Sequence, residues 1–174
     1  MRKDRLGRGR SVLNRAGYFC GDRAHPAVEL RLRPPAGDPT AWQASTESFR
    51  DALTRDFPDA FLESNASALR DVPVVVLDFE IEVSPDVFVA GTAAMPAPDY
   101  AHVSLVDVTA HTAALFARWL RDSYVASPSS VRFLSSFVME NGDETPWSLP
   151  ATGDATEMAT VLLSHLAAAE PERR

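Results

Sequence analysis

The chain has 174 residues, 45% of them hydrophobic and 24% charged, with one cysteine and a formal net charge of −7. These are the values of one globular domain with or without a tail, and the lone Cys20 excludes an internal disulfide. Residues 1–33 carry nine Lys or Arg against three Asp or Glu, and residues 34–174 carry eight against twenty-one. An acidic body repels phosphate backbones and anionic lipid and attracts basic protein surfaces.

Residues 1–25 are rich in Arg and Gly and show no apolar period, so they are expected to form a basic, mobile arm. The arm has no amphipathic stripe and gives only a weak nucleic-acid signal. Ser11-Val12-Leu13-Asn14-Arg15 interrupts any apolar core of a secretory signal, and no apolar run approaches the length of a membrane span. Cys20, beside Tyr18 and Phe19, is expected to be a buried, inert thiol. The Arg-for-Lys bias and abundant Ala fit a bacterial chain, and a cytoplasmic location is the default expectation.

The remaining residues, 26–170, are expected to form one α+β domain, with 171–174 as a tail. Ala27 to Arg33 alternates strictly and stops at Pro34-Pro35, which predicts a strand with Val28, Leu30 and Leu32 inward. Asp38-Pro39 is a helix-start signal, and Trp42, Phe49, Leu53 and Phe57 would line one helical face up to Pro58. Residues 59–70 are expected to be a second short helix or an ordered loop.

Pro73 to Val83 is the strongest strand. Val75, Leu77, Phe79, Ile81 and Val83 share one face, and Val74, Val76, Asp78, Glu80 and Glu82 share the other. Ser84-Pro85-Asp86 turns the chain into a short strand, Val87 to Ala90. Met95-Pro96-Ala97-Pro98 should be irregular, because proline cannot donate to a ladder. Tyr100 to Val108 is the next strand.

Thr109 caps a helix running to about Tyr124, with Ala113, Phe116, Leu120 and Tyr124 inward and Arg118 paired with Asp122 outside. Val131 to Glu140 is expected to be a strand, and Asn141-Gly142 a tight hairpin leading to a short edge strand through Trp147. Asp154 and Glu157 form a capping box for the last helix, whose apolar face holds Met158, Val161, Leu162, Leu166 and Ala169.

The expected architecture is therefore α+β: a mostly antiparallel sheet with helices packed on one side, a two-layer sandwich. This order of elements resembles that of small acidic secretion chaperones of the type III kind, a resemblance of topology alone.

No motif names a reaction. The chain has no Gly-x-Ser-x-Gly elbow and no phosphate loop with lysine, since its only lysine is Lys3. His25, His102, His111 and His165 form no close-spaced ligand pair, so no metal and no cofactor are expected. The carboxylates Asp78, Glu80 and Glu82 lie roughly 7 Å apart along one strand face. Such a row can hold a hard cation, present a negative stripe to a basic partner or be an ordinary solvated face, and the last two are the expectation here. Asp143 and Glu144 beside the expected hairpin, with Trp147 as an aromatic anchor, extend that reading. The resulting expectation is a non-enzymatic, acidic protein-binding module, an immunity-type inhibitor or dedicated chaperone of a basic toxin or secreted protein. Its partner surface would be Asp78, Glu80, Glu82, Asp143, Glu144 and Trp147. The alternatives are a hydrolase-like enzyme without a motif, using His102, Asp107 and His111, and a structural subunit of a larger bacterial assembly.

Overall fold

The computed structural model describes residues 27–69 and 71–169. The expectations for the basic arm, for Cys20 and His25 and for the last four residues lie outside the described residues. Seven strands form one antiparallel sheet: β1 (Val28–Arg33), β2 (Phe61–Leu69), β3 (Val72–Ser84), β4 (Val87–Ala97), β5 (Tyr100–Val108), β6 (Arg132–Ser135) and β7 (Trp147–Ser148). Their order across the sheet is β2-β3-β4-β5-β1-β6-β7. The helices are α1 (Thr46–Asp56), α2 (Ala110–Trp119), α3 (Ser136–Glu140) and α4 (Ala155–Ala168). The architecture is α+β, as the period-two and period-3.6 patterns require.

The inner face of the sheet is the core. Leu30, Leu32, Leu77, Phe79, Ile81, Val89, Ala93, Val103, Leu105 and Phe133 are all buried there. Phe49 of α1 meets Phe79 edge-on at 5.8 Å, and Phe116 of α2 stacks on Phe79 at 5.5 Å. Gly91 of β4 lies directly opposite Phe79. A Cβ there would overlap the Ser104 carbonyl oxygen and come within 2.8 Å of Phe79 Cζ, so only glycine fits between the β5 backbone and the Phe79 ring.

The predicted caps hold. Thr109 accepts the Thr112 amide at 3.2 Å, and the Asp154–Glu157 capping box is complete. The last turn of the second predicted helix, Leu120–Tyr124, widens to π geometry. Arg118 and Asp122 pair at 3.5 Å. Inside that turn Arg121 is buried, donating to Asp122 and to the carbonyls of Pro150 and Gly153.

Several expectations are corrected. Asp38-Pro39 makes turns, not a helix; Gln43 at φ 50° breaks any continuation, and α1 starts at Ser45, whose capping box with Ser48 is the true start. Residues 59–70 hold strand β2 in place of a helix or loop. As an edge strand with most side chains exposed, it carries no alternation to detect. Val75 is exposed, because β4 begins pairing only at Val76 and the first part of β3 runs past the rest of the sheet. The strand predicted over Val131–Glu140 stops at Ser135, whose hydroxyl caps α3 by accepting the Val138 amide at 3.3 Å. Asn141-Gly142 is the end of that helix and not a hairpin: Gly142 has φ 87° and donates its amide to Met139 O at 3.0 Å. Strand β4 does extend through Pro96 to Ala97, with its ladder to β5 irregular between Ala94 and Ala97.

His165 has a structural place. It is buried between Phe133 and Trp147, each ring 5.0 Å away, and its Nε2 accepts the Ser135 amide at 3.2 Å. Burial pushes its imidazole below the ordinary value, with the Asp143 carboxylate acting the other way. His102 is also lowered, first by burial. The unfolded chain takes up protons near pH 6.5 that the folded chain resists. Stability should therefore fall as the pH drops below about 6.5. Thermal unfolding at about pH 7.5 and about pH 5.5 is expected to show the lower midpoint at the acid end, before most carboxylates titrate. Equal midpoints would show that neither imidazole resists protonation.

Candidate functional site

Antiparallel register partners share a face. Glu80 pairs with Phe61 on one side and Ala90 on the other, Asp78 with Glu63 and Thr92, and Glu82 with Phe88. All lie on the outer face, opposite the buried side chains Leu77, Phe79 and Ile81. Helices α1, α2 and α4 pack on the inner face, so this outer surface has no helical layer over β2, β3 and β4. The sequence-predicted stripe is real as geometry: Asp78 is half-buried, and Glu80 and Glu82 are exposed.

Two of the three carboxylates have local partners. Asn65 Nδ2 donates to Asp78 at 2.5 Å, and Glu82 Oε1 accepts the Asp86 amide at 2.7 Å. The second bond caps the β3–β4 turn, where Asp86 has φ 60°. Glu80 is left projecting between Phe61 and Ala90 with no polar contact among the described residues. Phe61 is 61% exposed, Phe88 54% and Val106 46%, and Val106 faces Ala90 across the β4–β5 ladder. Three large apolar side chains this open are thus grouped on one face with the carboxylates. An open trough of about 210 Å³ runs between Phe61, Glu80, Ala90, Thr92 and Val106.

The other half of the predicted surface is elsewhere. From β3 to β7 is five strand spacings, about 24 Å. Asp143 and Glu144 lie in the loop between α3 and β7, and neither lines the trough beside the stripe. Asp143 turns its carboxylate onto the Thr145 amide at 2.8 Å, a bond that holds its carboxyl below the usual range. Trp147 pairs with Phe133 and stacks edge-on against His165 on the helical side. It is half-buried and faces away from the stripe.

Sequence reasoning missed Phe61 and Phe88. Phe88 was within reach: once Ser84-Pro85-Asp86 is a turn, the residues flanking it pair, and Phe88 falls opposite Glu82. Phe61 was not, because β2 was not recognisable as a strand. The residues suggested for a hydrolase do not assemble. Strand rise sets Asp107 about 16 Å from His102 along β5, and His111 follows on α2. Among the described residues no group of three His, Cys, Asp or Glu side chains converges on a point that could hold a metal ion. No described helix is long and apolar enough to cross a membrane.

No family model, no curated protein and no solved structure matches the chain.

Proposed function

We propose that the chain is a non-enzymatic protein-binding module, an immunity-type inhibitor or dedicated chaperone that masks a basic protein through the outer face of β2, β3 and β4. The observation that carries this reading is the exposure of Phe61 and Phe88 beside Glu80 and Glu82 on a sheet face without a helical layer. The charges accelerate encounter with a basic surface and the aromatic rings supply contact area once docked. An acidic body of eight Lys or Arg against twenty-one Asp or Glu extends the attraction beyond the patch.

The test is association and dissociation kinetics with a basic partner recovered from the native host, at two salt concentrations. Glu80→Lys with Glu82→Lys should slow association and flatten its salt dependence, with a smaller effect on dissociation. Phe61→Ala with Phe88→Ala should leave the salt slope alone and speed dissociation by about tenfold or more. A partner whose rates ignore both pairs of substitutions docks elsewhere, and the reading fails.

A further inference from the structure

The opposite half of the outer face has the reverse character. Arg31 and Arg33 of β1 point outward, since Leu30 and Leu32 point in. Arg33 lies directly opposite Arg132 of β6 in the β1–β6 ladder, an unfavourable arrangement of like charges. Seven arginines occur among the described residues, and three of them meet here. Arg31 is paired with Glu29 at 2.9 Å, and Arg132 donates to the Ser129 carbonyl at 2.9 Å. Arg33 alone among the described arginines has neither an ion pair nor a hydrogen bond with any described side chain or carbonyl.

Two of these arginines, Arg31 and Arg33, line a cavity. After β6 the chain leaves the sheet as α3 and returns only at β7, and the detour raises a wall over β1. An open cavity of about 330 Å³ lies between them, lined by Arg31, Arg33, Tyr100, His102, Leu134, Met139 and Glu144. A second cavity of about 190 Å³ continues from Arg33, Tyr100 and His102 toward Pro34, Pro35 and Pro39, with Asp99 at its margin. The two form a groove with cationic and hydrogen-bonding groups at its middle and apolar side chains at both ends. Donors that converge while repelling one another are stabilised by an anion between them. Guanidinium forks match a tetrahedral phosphate, and the phenol of Tyr100 adds another donor.

We propose that this groove binds an organic phosphate monoester, with the phosphate held by Arg31, Arg33 and Tyr100 beside His102 and the organic body lying on Leu134 and Met139. The site is separate from the acidic half of the face and does not depend on the protein-binding reading. His102 is its natural reporter. Burial lowers its imidazole most, Arg31 and Arg33 lower it further, and Glu29 acts in the opposite direction. Glu144 and Asp99 face the groove from the loops, and Arg132 lies beside Arg33 on β6, its guanidinium turned onto the Ser129 and Val131 carbonyls. A phosphate dianion that offsets the arginines should raise the His102 midpoint and recruit its protonated form as a further donor.

The experiment is titration of the full chain with phenyl phosphate, followed through the His102 ring resonances by NMR. A saturable shift and an upward move of the His102 midpoint are expected, with His111, exposed on α2, unaffected. Arg33→Gln should weaken binding about tenfold, the loss of one charge-assisted contact. Inorganic phosphate should bind more weakly than phenyl phosphate, and benzoate more weakly still. No saturable shift into the millimolar range overturns the proposal, as does unchanged affinity in Arg33→Gln. Benzoate binding as tightly as phenyl phosphate overturns the assignment to phosphate. A His102 shift that follows protein concentration and not ligand would mean that the arginines receive the acidic half of a second copy, which also overturns it.

Discussion

Phe116→Ala is expected to lower stability by about 3–5 kcal/mol in urea unfolding, the range for truncating a buried phenylalanine. Phe116 is fully buried and sits where three elements meet. Its ring stacks on Phe79 at 5.5 Å with an interplanar angle of 12°, and lies 5.5 Å from the Trp119 ring. Phe79 in turn meets Phe49 of α1, so the pair ties both helices to β3. The hole left by alanine could not close easily. Gly91 already brings the β4 backbone against Phe79, and the neighbouring Ala113, Ala114 and Ala117 have no rotamers with which to fill space. Phe116→Leu, which keeps most of the volume, should cost far less. A loss below about 1 kcal/mol for the alanine variant would place this ring outside the core. The contrast is Phe61→Ala, whose side chain is mostly in water: it should move stability by about 0.5 kcal/mol or less, the usual range for a surface substitution.

That contrast shows what the sequence makes legible. A strand with one wet and one dry face writes a period of two, and β1, β3 and β5 could be placed on it. A helix end with a side-chain cap writes a local signature, and Thr109 and Asp154 were placed by theirs. Strand β2 writes neither. Its partner β3 covers only one edge, and from Phe61 to Ala68 only Leu62 is even half-buried. Asn141-Gly142 fails for a different reason. Positive φ at Gly142 is all that the dipeptide demands, and a helix end meets that demand as well as a hairpin. The acidic stripe was legible because all three carboxylates lie on one strand. The aromatics beside it come from neighbouring strands, so they depend on pairing that no single segment encodes. The arginine groove is further still from local pattern, since Arg33, His102 and Met139 meet only after β1, β5 and α3 are arranged.

Trp42 separates burial from secondary structure, and substitution there should be as costly as at Phe116. The helical spacing of Trp42, Phe49, Leu53 and Phe57 assigned it correctly to the core for an incorrect reason. Trp42 precedes α1, in a turn closed by Gln43 N donating to Thr40 O at 2.9 Å. It is 2% exposed, and its indole Nε1 donates to the Ser130 carbonyl at 3.0 Å, joining the segment after β1 to the segment before β6. The large ring therefore anchors a connection whose backbone is otherwise held by isolated turns. Trp42→Ala should cost about 3–5 kcal/mol through lost burial and the cavity it leaves. Trp42→Phe keeps much of the ring but removes the donor, leaving the buried Ser130 carbonyl without it, at a cost of about 1–3 kcal/mol. Urea unfolding can be followed through Trp119 and Trp147, which remain in both variants. The expected order is wild type, then Trp42→Phe, then Trp42→Ala. A phenylalanine variant as stable as wild type would show that the ring alone holds this connection. One as unstable as the alanine variant would show that the indole–carbonyl bond holds it.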